Sequence, residues 1–361
     1  MIVRAALFGL ALLPGVCTAG VPLVEGLTVT TAIAGPAGDY ESRKRLAGRE
    51  GDGWRLRYSA SVPGDAGRPR SIDSERLLHD ADLLAAHTYR SRFEADTDED
   101  YPGTTALGAS VQVLAELKAA GKSRFALVGE DHWMADALAA MPGAQESAIG
   151  LAAALMANPG ASYKGELARR SAGTLSVLVN GQISSLPVIV AGGRFTAKSG
   201  QTLDAELSLL DDANNPITLQ WRIGTASLRV VRIDFPVPDN KQLGETLKAK
   251  KRVTLPGLFF DFGSAMLKPE SAAAVRTIAE AAGEAPGTLT LEGHTDIVGD
   301  TAKNLALSRA RAESVRAALI SINPELAARL SAQGYGATRP QAANTTLEGR
   351  AQNRRVELVA Q

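Results

Sequence analysis

The chain is poor in cysteine and in aromatic residues, carries no net charge and has no long hydrophobic run. Its single cysteine, Cys17, excludes a disulfide framework and any metal site built from several thiolates. Basic and acidic residues number 39 each, which argues against a nucleic-acid binder. No apolar stretch approaches the roughly 20 residues of a membrane helix, so we expect no transmembrane segment in the mature chain. The remaining composition is that of a globular protein, and 361 residues favour two domains.

Residues 1–19 have the pattern of a signal peptide. Arg4 supplies a positive charge, residues 5–13 form a short apolar run, and residues 17–19 offer small side chains before a cleavage site. Cleavage after residue 19 predicts a periplasmic protein, with outer-membrane association as an alternative. A rival interpretation is lipidation at Cys17, which the branched Val16 before it disfavours.

Residues 20–240 are expected to form an α+β domain with antiparallel strands. Asn180-Gly181 accepts the positive φ angles of a type I′ turn and predicts a hairpin between residues 175–179 and 183–190. The other expected elements are strands at 26–33, 54–61, 123–128, 203–210, 217–223 and 227–235, and helical segments after the possible N-caps of residues 71–74, at 106–120 and at 135–156.

Residues 253–361 follow a polar, basic stretch, 241–252, which we interpret as a linker. In this second domain strands alternate with helices, which predicts a two-layer α/β sandwich. The expected strands are 257–262, 288–293, 329–335 and 354–359, and the expected helices are 269–283 and 301–321.

Five ordered blocks of this second domain resemble the OmpA-like peptidoglycan-binding domain. Their order and spacing make the match specific, and it covers about a third of the chain. The resemblance implies the fold of that family, noncovalent peptidoglycan binding, and ligand-binding roles for Asp296 and Arg311. The blocks are Phe260-Asp261-Phe262-Gly263-Ser264-Ala265 with Leu267-Lys268-Pro269, Glu292-Gly293-His294-Thr295-Asp296, residues 304–312, Gly334-Tyr335-Gly336 and Asn353-Arg354-Arg355-Val356.

The residues themselves suggest a pocket for a zwitterion. Asp296 follows a strand at the carboxyl edge, where α/β sheets bind ligands. Helix 301–321 carries Asn304, Leu307, Ser308 and Arg311 on one face, and we expect an opposite, sheet-facing stripe of Leu305, Ala312, Val315 and Leu319. Asp296 would accept hydrogen bonds from an ammonium, and Arg311 would donate two to a carboxylate. Diaminopimelate of the peptidoglycan stem carries both groups on one carbon at its free end.

The full candidate site adds two residues and leaves some alternatives open. Asp261 would reach the ligand or, equally, cap backbone N–H groups at a strand end. Arg354 or Arg355 would brace Asp261 or the glycan, or be structural. Without the flanking blocks, Asp296 and Arg311 would be interpreted as a surface ion pair. The candidate ligand-binding residues are Asp296, Arg311, Asn304, Leu307, Asp261 and Thr295.

We expect no metal, no cofactor and no catalytic residue. His294 is interpreted as a hydrogen-bonded loop residue, because no second His or Cys lies at metal-ligand spacing. The expected function is peptidoglycan binding that anchors the protein to the cell wall, with an envelope protein as a partner of the first domain. The alternative is an envelope enzyme in which Glu130-Asp131-His132 does acid–base chemistry and the second domain is the tether. A solvated loop explains those three residues more simply.

Overall fold

The computed structural model describes residues 20–33, 40–62, 70–91, 93–128, 162–215, 217–223, 226–236, 240–261 and 263–361. The signal-peptide segment, Glu130-Asp131-His132 and the helical segment expected at 135–156 lie outside the described residues. We refer to residues 20–236 as the N-terminal part and to residues 240–361 as the C-terminal part. Among the described helices, none combines the length and the apolar character needed to cross a membrane.

The N-terminal part is built on one large, mostly antiparallel sheet, as expected. The strands run in the order β5-β7-β8-β9-β10-β11-β12-β1-β2-β3-β4-β6. The end of β8 also pairs in parallel with β12, at Leu178 opposite Arg232 and Val179 opposite Ile233, so the run from β8 to β12 closes on itself. The elements are β1 (Thr28–Ile33), β2 (Tyr40–Glu50), β3 (Gly53–Val62), β4 (Arg70–His79), α1 (Asp80–Ala85), β5 (Thr88–Arg90), β6 (Asp98–Asp100), α2 (Val111–Ala119), β7 (Lys122–Val128), β8 (Ser162–Val179), β9 (Gln182–Ala197), β10 (Thr202–Leu210), β11 (Thr218–Ile223) and β12 (Ala226–Asp234).

Turn chemistry explains the hairpin and the end of α2. Asn180 and Gly181 have φ angles of 47° and 76°, so the predicted hairpin between β8 and β9 is confirmed. Helix α2 begins after Ser110, whose side chain accepts a hydrogen bond from the Val113 N–H at 3.2 Å, and it ends before Gly121, which has a φ of 73°. The helix is therefore shorter at its start than the segment expected at 106–120.

The expected helix after residues 71–74 is wrong, because most of that segment is strand β4. Its buried positions alternate, with Ile72, Ser74, Arg76 and Leu78 all facing inward, and a period of two is that of a strand. Two of these inward residues are polar, which hid the alternation. The charge of the buried Arg76 guanidinium is compensated by an ion pair with the buried Glu99 at 2.5 Å.

The C-terminal part is a two-layer α/β sandwich, as expected. Its four strands run in the order β13-β16-β14-β15, and only the β14–β15 pair is parallel. The helices bury apolar faces against this sheet in a single core. The elements are α3 (Asn240–Lys250), β13 (Arg252–Thr254), a 3₁₀ turn (Pro269–Ser271), α4 (Ala272–Glu284), β14 (Leu289–Gly293), α5 (Thr301–Ile322), a second 3₁₀ turn (Pro324–Ala328), β15 (Leu330–Gly334), α6 (Leu347–Asn353) and β16 (Val356–Ala360).

Two expectations for this part need correction. Residues 241–252, interpreted as a linker, hold α3 and the start of β13, because Leu243 and Leu247 are buried in the same core as α4. Of the strand expected at 257–262, the described residues 257–261 form a loop, in which Phe260 makes an isolated bridge with Leu267. Its apolar residues are buried by packing rather than by pairing in the sheet.

Candidate functional site

A cavity of about 220 Å³ lies where the two parts of the chain meet. The C-terminal part lines it with all six residues that the sequence nominated. The N-terminal part lines the other side with charged residues from β2 and β12. The first group is Asp261, Thr295, Asp296, Asn304, Leu307 and Arg311, and the second is Glu41, Arg43, Arg232 and Asp234.

The loop after β14 places Asp296 at the cavity. Its shape is fixed by a hydrogen bond from the Thr295 N–H to the Gly336 carbonyl oxygen at 2.9 Å. Asp296 is 8% exposed, and its Oδ1 accepts the Val298 N–H at 2.9 Å. The Asn304 amide donates to the Val298 carbonyl oxygen at 2.9 Å and lies 3.4 Å from that of Asp296. In this arrangement Asn304 holds the loop that carries the carboxylate.

Helix α5 presents Leu307 and Arg311 to the cavity because of how it packs on the sheet. Ser308 is fully buried, and its hydroxyl donates to the Leu305 carbonyl oxygen and accepts the Gly336 N–H, both at 2.8 Å. The expected stripe is therefore wrong in two positions. Ser308 belongs to the buried stripe with Ala312, Val315 and Leu319, whereas Leu305 is 49% exposed.

The Arg311 guanidinium is held mainly by uncharged groups. Its Nε donates to the Ser264 carbonyl oxygen at 2.9 Å, and its Nη2 lies 3.4 Å from the Asp261 carbonyl oxygen. The guanidinium also lies over the Phe260 ring, 5.1 Å from its centre. Burial lowers the pKa of Arg311 to about 10, with the charge of Glu41 opposing that change, so the group stays positive at neutral pH.

Arg354, rather than Arg311, forms the ion pair with Asp296. Its Nη1 bonds Asp296 Oδ2 and its Nη2 bonds Glu41 Oε1 of the N-terminal part. The idea that Arg354 braces Asp261 is wrong, since Asp261 pairs with Lys268 at 2.9 Å. Arg355 points elsewhere and pairs with Glu357 at 3.2 Å. The fifth sequence block contained Arg354, but its partner Asp296 is 58 residues away and no local pattern joins them.

Strand register explains why charged residues of the N-terminal part reach the cavity. Thr30 of β1 lies opposite Arg43 of β2 on one side and Arg232 of β12 on the other. Glu41 is two residues from Arg43, and Asp234 is two residues from Arg232, so each pair shares one face of the sheet. None of these four residues was nominated from the sequence.

Burial and neighbouring charges shift the pKa values of the two acids on this face in opposite directions. Burial alone would raise the pKa of the Glu41 carboxylate. The guanidinium groups of Arg354, Arg43 and Arg232 outweigh burial and lower that pKa to about 2. Burial raises the pKa of Asp234 to about 6, against the opposing charges of Arg232 and Arg43. Glu41 is thus an anion at neutral pH.

A second group of ionisable residues adjoins the cavity, which His294 helps to line. Glu292, His294 and Glu357 are buried, with potential ligand atoms within 4.8 Å of one another. Arg252 bonds Glu292 at 2.7 Å and Glu357 at 2.5 Å. Burial alone would raise the pKa of the Glu357 carboxylate. Hydrogen bonding by His294 and the charge of Arg355 outweigh burial and lower that pKa to about 2. Because the carboxylate charges are already compensated, we interpret this group as a structural ionic network.

Comparison with known proteins identifies a family match within the C-terminal part and several similar envelope proteins. The OmpA family model matches residues 259–354. The chain is similar to Outer membrane protein A of Bordetella avium, with 34% identity over 169 residues that cover 43% of this chain and 86% of that protein. It is also similar to the Peptidoglycan-associated lipoprotein of Pseudomonas aeruginosa, with 37% identity over 102 residues, 28% of this chain and 59% of that protein.

Another relative has a higher sequence identity to this chain, but the match covers a smaller part of its length. Outer membrane porin F of Pseudomonas aeruginosa is 46% identical over 99 residues, which are 27% of this chain and 28% of that protein. The chain therefore spans less than a third of the length of that relative. The region matched by the family model, residues 259–354, contains Asp296, Arg311 and Arg354.

Proposed function

This chain belongs to the OmpA family, and from that premise we propose that its cavity binds peptidoglycan noncovalently. The recognised group is the free end of a stem-peptide residue such as diaminopimelate, with an ammonium and a carboxylate on one carbon. The names of relatives support this, since one is a peptidoglycan-associated lipoprotein.

The observation that carries the proposal is the convergence of Asp296 and Arg311 on one cavity. Asp296 is a buried acceptor whose position is fixed by the Val298 N–H and by Arg354. Arg311 is bonded to carbonyl oxygens, which leave its positive charge available to a ligand anion. A carboxylate binds a guanidinium through two parallel hydrogen bonds, which an ammonium such as that of Lys cannot reproduce.

A single pocket of this size binds weakly, in the range of about mM to µM dissociation constants. The cell wall presents many copies of the ligand close together, so a released protein rebinds quickly and stays attached. This makes the C-terminal part an anchor to the wall. Together with the outer-membrane names of its relatives, it supports a periplasmic location for the protein.

The N-terminal part is proposed to act as a binding module for another envelope protein. The role of the whole chain is then attachment rather than catalysis.

Sedimentation of the full chain with purified sacculi tests the proposed function. We expect Asp296→Asn and Arg311→Lys to lower the bound fraction at least about tenfold, because each removes one side of the zwitterion contact. Arg309→Lys on the exposed face of α5 is the matched control and should bind as the wild type does. Free diaminopimelate should compete. Undiminished binding by both site variants would contradict the proposal.

A further inference from the structure

We propose that the N-terminal part regulates the peptidoglycan site by placing Glu41 in it as an internal competitor. This inference rests on the proposed function. In the closed arrangement described above, Glu41 occupies the position of the ligand carboxylate. Peptidoglycan binds when the two parts separate and Glu41 leaves.

The contact between the two parts is made mainly by arginines of the N-terminal sheet. Arg43 Nη2 donates to the Phe260 carbonyl oxygen at 2.7 Å, and Arg232 Nη2 to the Arg354 carbonyl oxygen at 3.2 Å. Both acceptors belong to the sequence blocks that form the cavity. The loop that supports Arg311 and the residue that pairs with Asp296 are thus each held from the other part of the chain.

A further ion pair and a small apolar cluster also contribute to this interface. Arg229 pairs with Glu348 at 2.8 Å. Ala32 and Val231 pack against Ala351, with the partly buried Leu347 beside them. Polar interfaces between domains of one chain with little apolar area are typical of parts that move relative to each other. The closed arrangement is therefore suited to reversible opening.

The chemistry of Glu41 matches that of the ligand group it would displace. It is a carboxylate, it bonds Arg354, and its charge acts on Arg311. A stem-peptide carboxylate would seek the same two cations. Binding of one therefore excludes binding of the other, and the apparent affinity for peptidoglycan is reduced by the fraction of molecules that are closed.

Sacculus sedimentation of full-chain variants separates this inference from the proposed function. Glu41→Gln removes the competing charge and should raise the affinity for sacculi about tenfold, or about 1.4 kcal/mol. Glu50→Gln, at the exposed end of the same strand, is the matched control and should leave the affinity unchanged. In the Glu41→Gln background, Arg311→Lys should abolish the gain.

The results distinguish a failure of the Glu41 inference from a failure of the proposed peptidoglycan site. Wild-type affinity in Glu41→Gln, while Arg311→Lys alone still weakens binding, would overturn the competitor and leave the proposed function standing. If Glu41→Gln and its double variant with Arg311→Lys bind equally tightly, the proposed site itself is wrong.

Discussion

Arg354 bonds Asp296, so the carboxylate proposed to receive the ligand ammonium already has a cationic partner within its own domain. The same guanidinium bonds Glu41 of the N-terminal part. Asp296 is therefore fixed in place before any ligand arrives, and its orientation does not depend on Arg311. Arg354 links the binding residue to the contact between the two parts.

Replacing Arg354 should destabilise the protein, because Asp296 and Glu41 then lose their cationic partner. We expect Arg354→Gln to lower the free energy of unfolding by about 2 kcal/mol, because removing one member of a buried ion pair leaves a carboxylate without compensation. The double variant Arg354→Gln with Asp296→Asn should recover part of that loss. Urea unfolding followed by circular dichroism measures both.

Arg309→Gln, on an exposed position of α5, is the control for loss of an arginine and should change stability by less than about 0.5 kcal/mol. A double variant that is less stable than Arg354→Gln alone would show that the ion pair is not the source of the effect.

Gly293 is required where β14 passes under α5. A Cβ atom at this position would collide with the backbone carbonyl of Ser308, which cannot move without the helix. We expect Gly293→Ala to cost about 3 kcal/mol of stability, at the upper end of overpacking effects. It should also weaken sacculus binding, because the displaced helix carries Arg311.

Gly244 in α3 provides the matched glycine control. No atom lies within 4 Å of a Cβ atom at Gly244, and alanine favours the helix, so Gly244→Ala should gain about 0.5–1 kcal/mol. Thermal unfolding compares the two variants. Equal effects of both substitutions would rule out the close approach at Gly293 as the cause.

Asp234 should make stability depend on pH in the acidic range. Its pKa in the folded state is raised from 3.8 to about 6, chiefly by burial. The folded protein therefore holds a proton between about pH 4 and pH 6 that the unfolded chain has released, and stability falls as the pH rises through this window. Asp234→Asn should abolish that fall and be about 2–3 kcal/mol more stable than the wild type at pH 7.

Glu284→Gln, at an exposed position at the end of α4, serves as the control for this titration. The measurement is the urea midpoint at pH 4, 5, 6 and 7. Arg232, Arg43 and Glu41 face Asp234 in both proteins, so their contributions remain similar and the difference reports on Asp234. A wild type and variant with parallel pH profiles would refute the prediction.

The sequence was most informative where structure follows from neighbouring residues. The Asn180-Gly181 turn and the alternation of strands and helices after residue 253 depend on local chemistry, and the fold class of both parts was predicted from such patterns. The six nominated residues also share one cavity. Strand β2 was missed because its sequence is dominated by charged residues, although Tyr40, Ser42 and Leu46 are buried.

What local patterns did not reveal is the pairing of residues far apart in the chain. Glu41 and Arg354 are 313 positions apart, and nothing around either residue indicates the other. Leu305 was assigned to the buried stripe because it is apolar, while Ser308 was placed at the cavity because it is polar. The structure reverses these assignments, since the Ser308 hydroxyl bonds backbone groups in the interior and Leu305 is 49% exposed.

The helix α3 at the start of the C-terminal part also limits how far the two parts can travel. Because α3 packs into the C-terminal core, only residues 235–239 join the last strand of one part to the first helix of the other. Five residues span at most about 20 Å when fully extended. The proposed competing carboxylate thus stays tethered within that distance of its binding partner when the two parts separate.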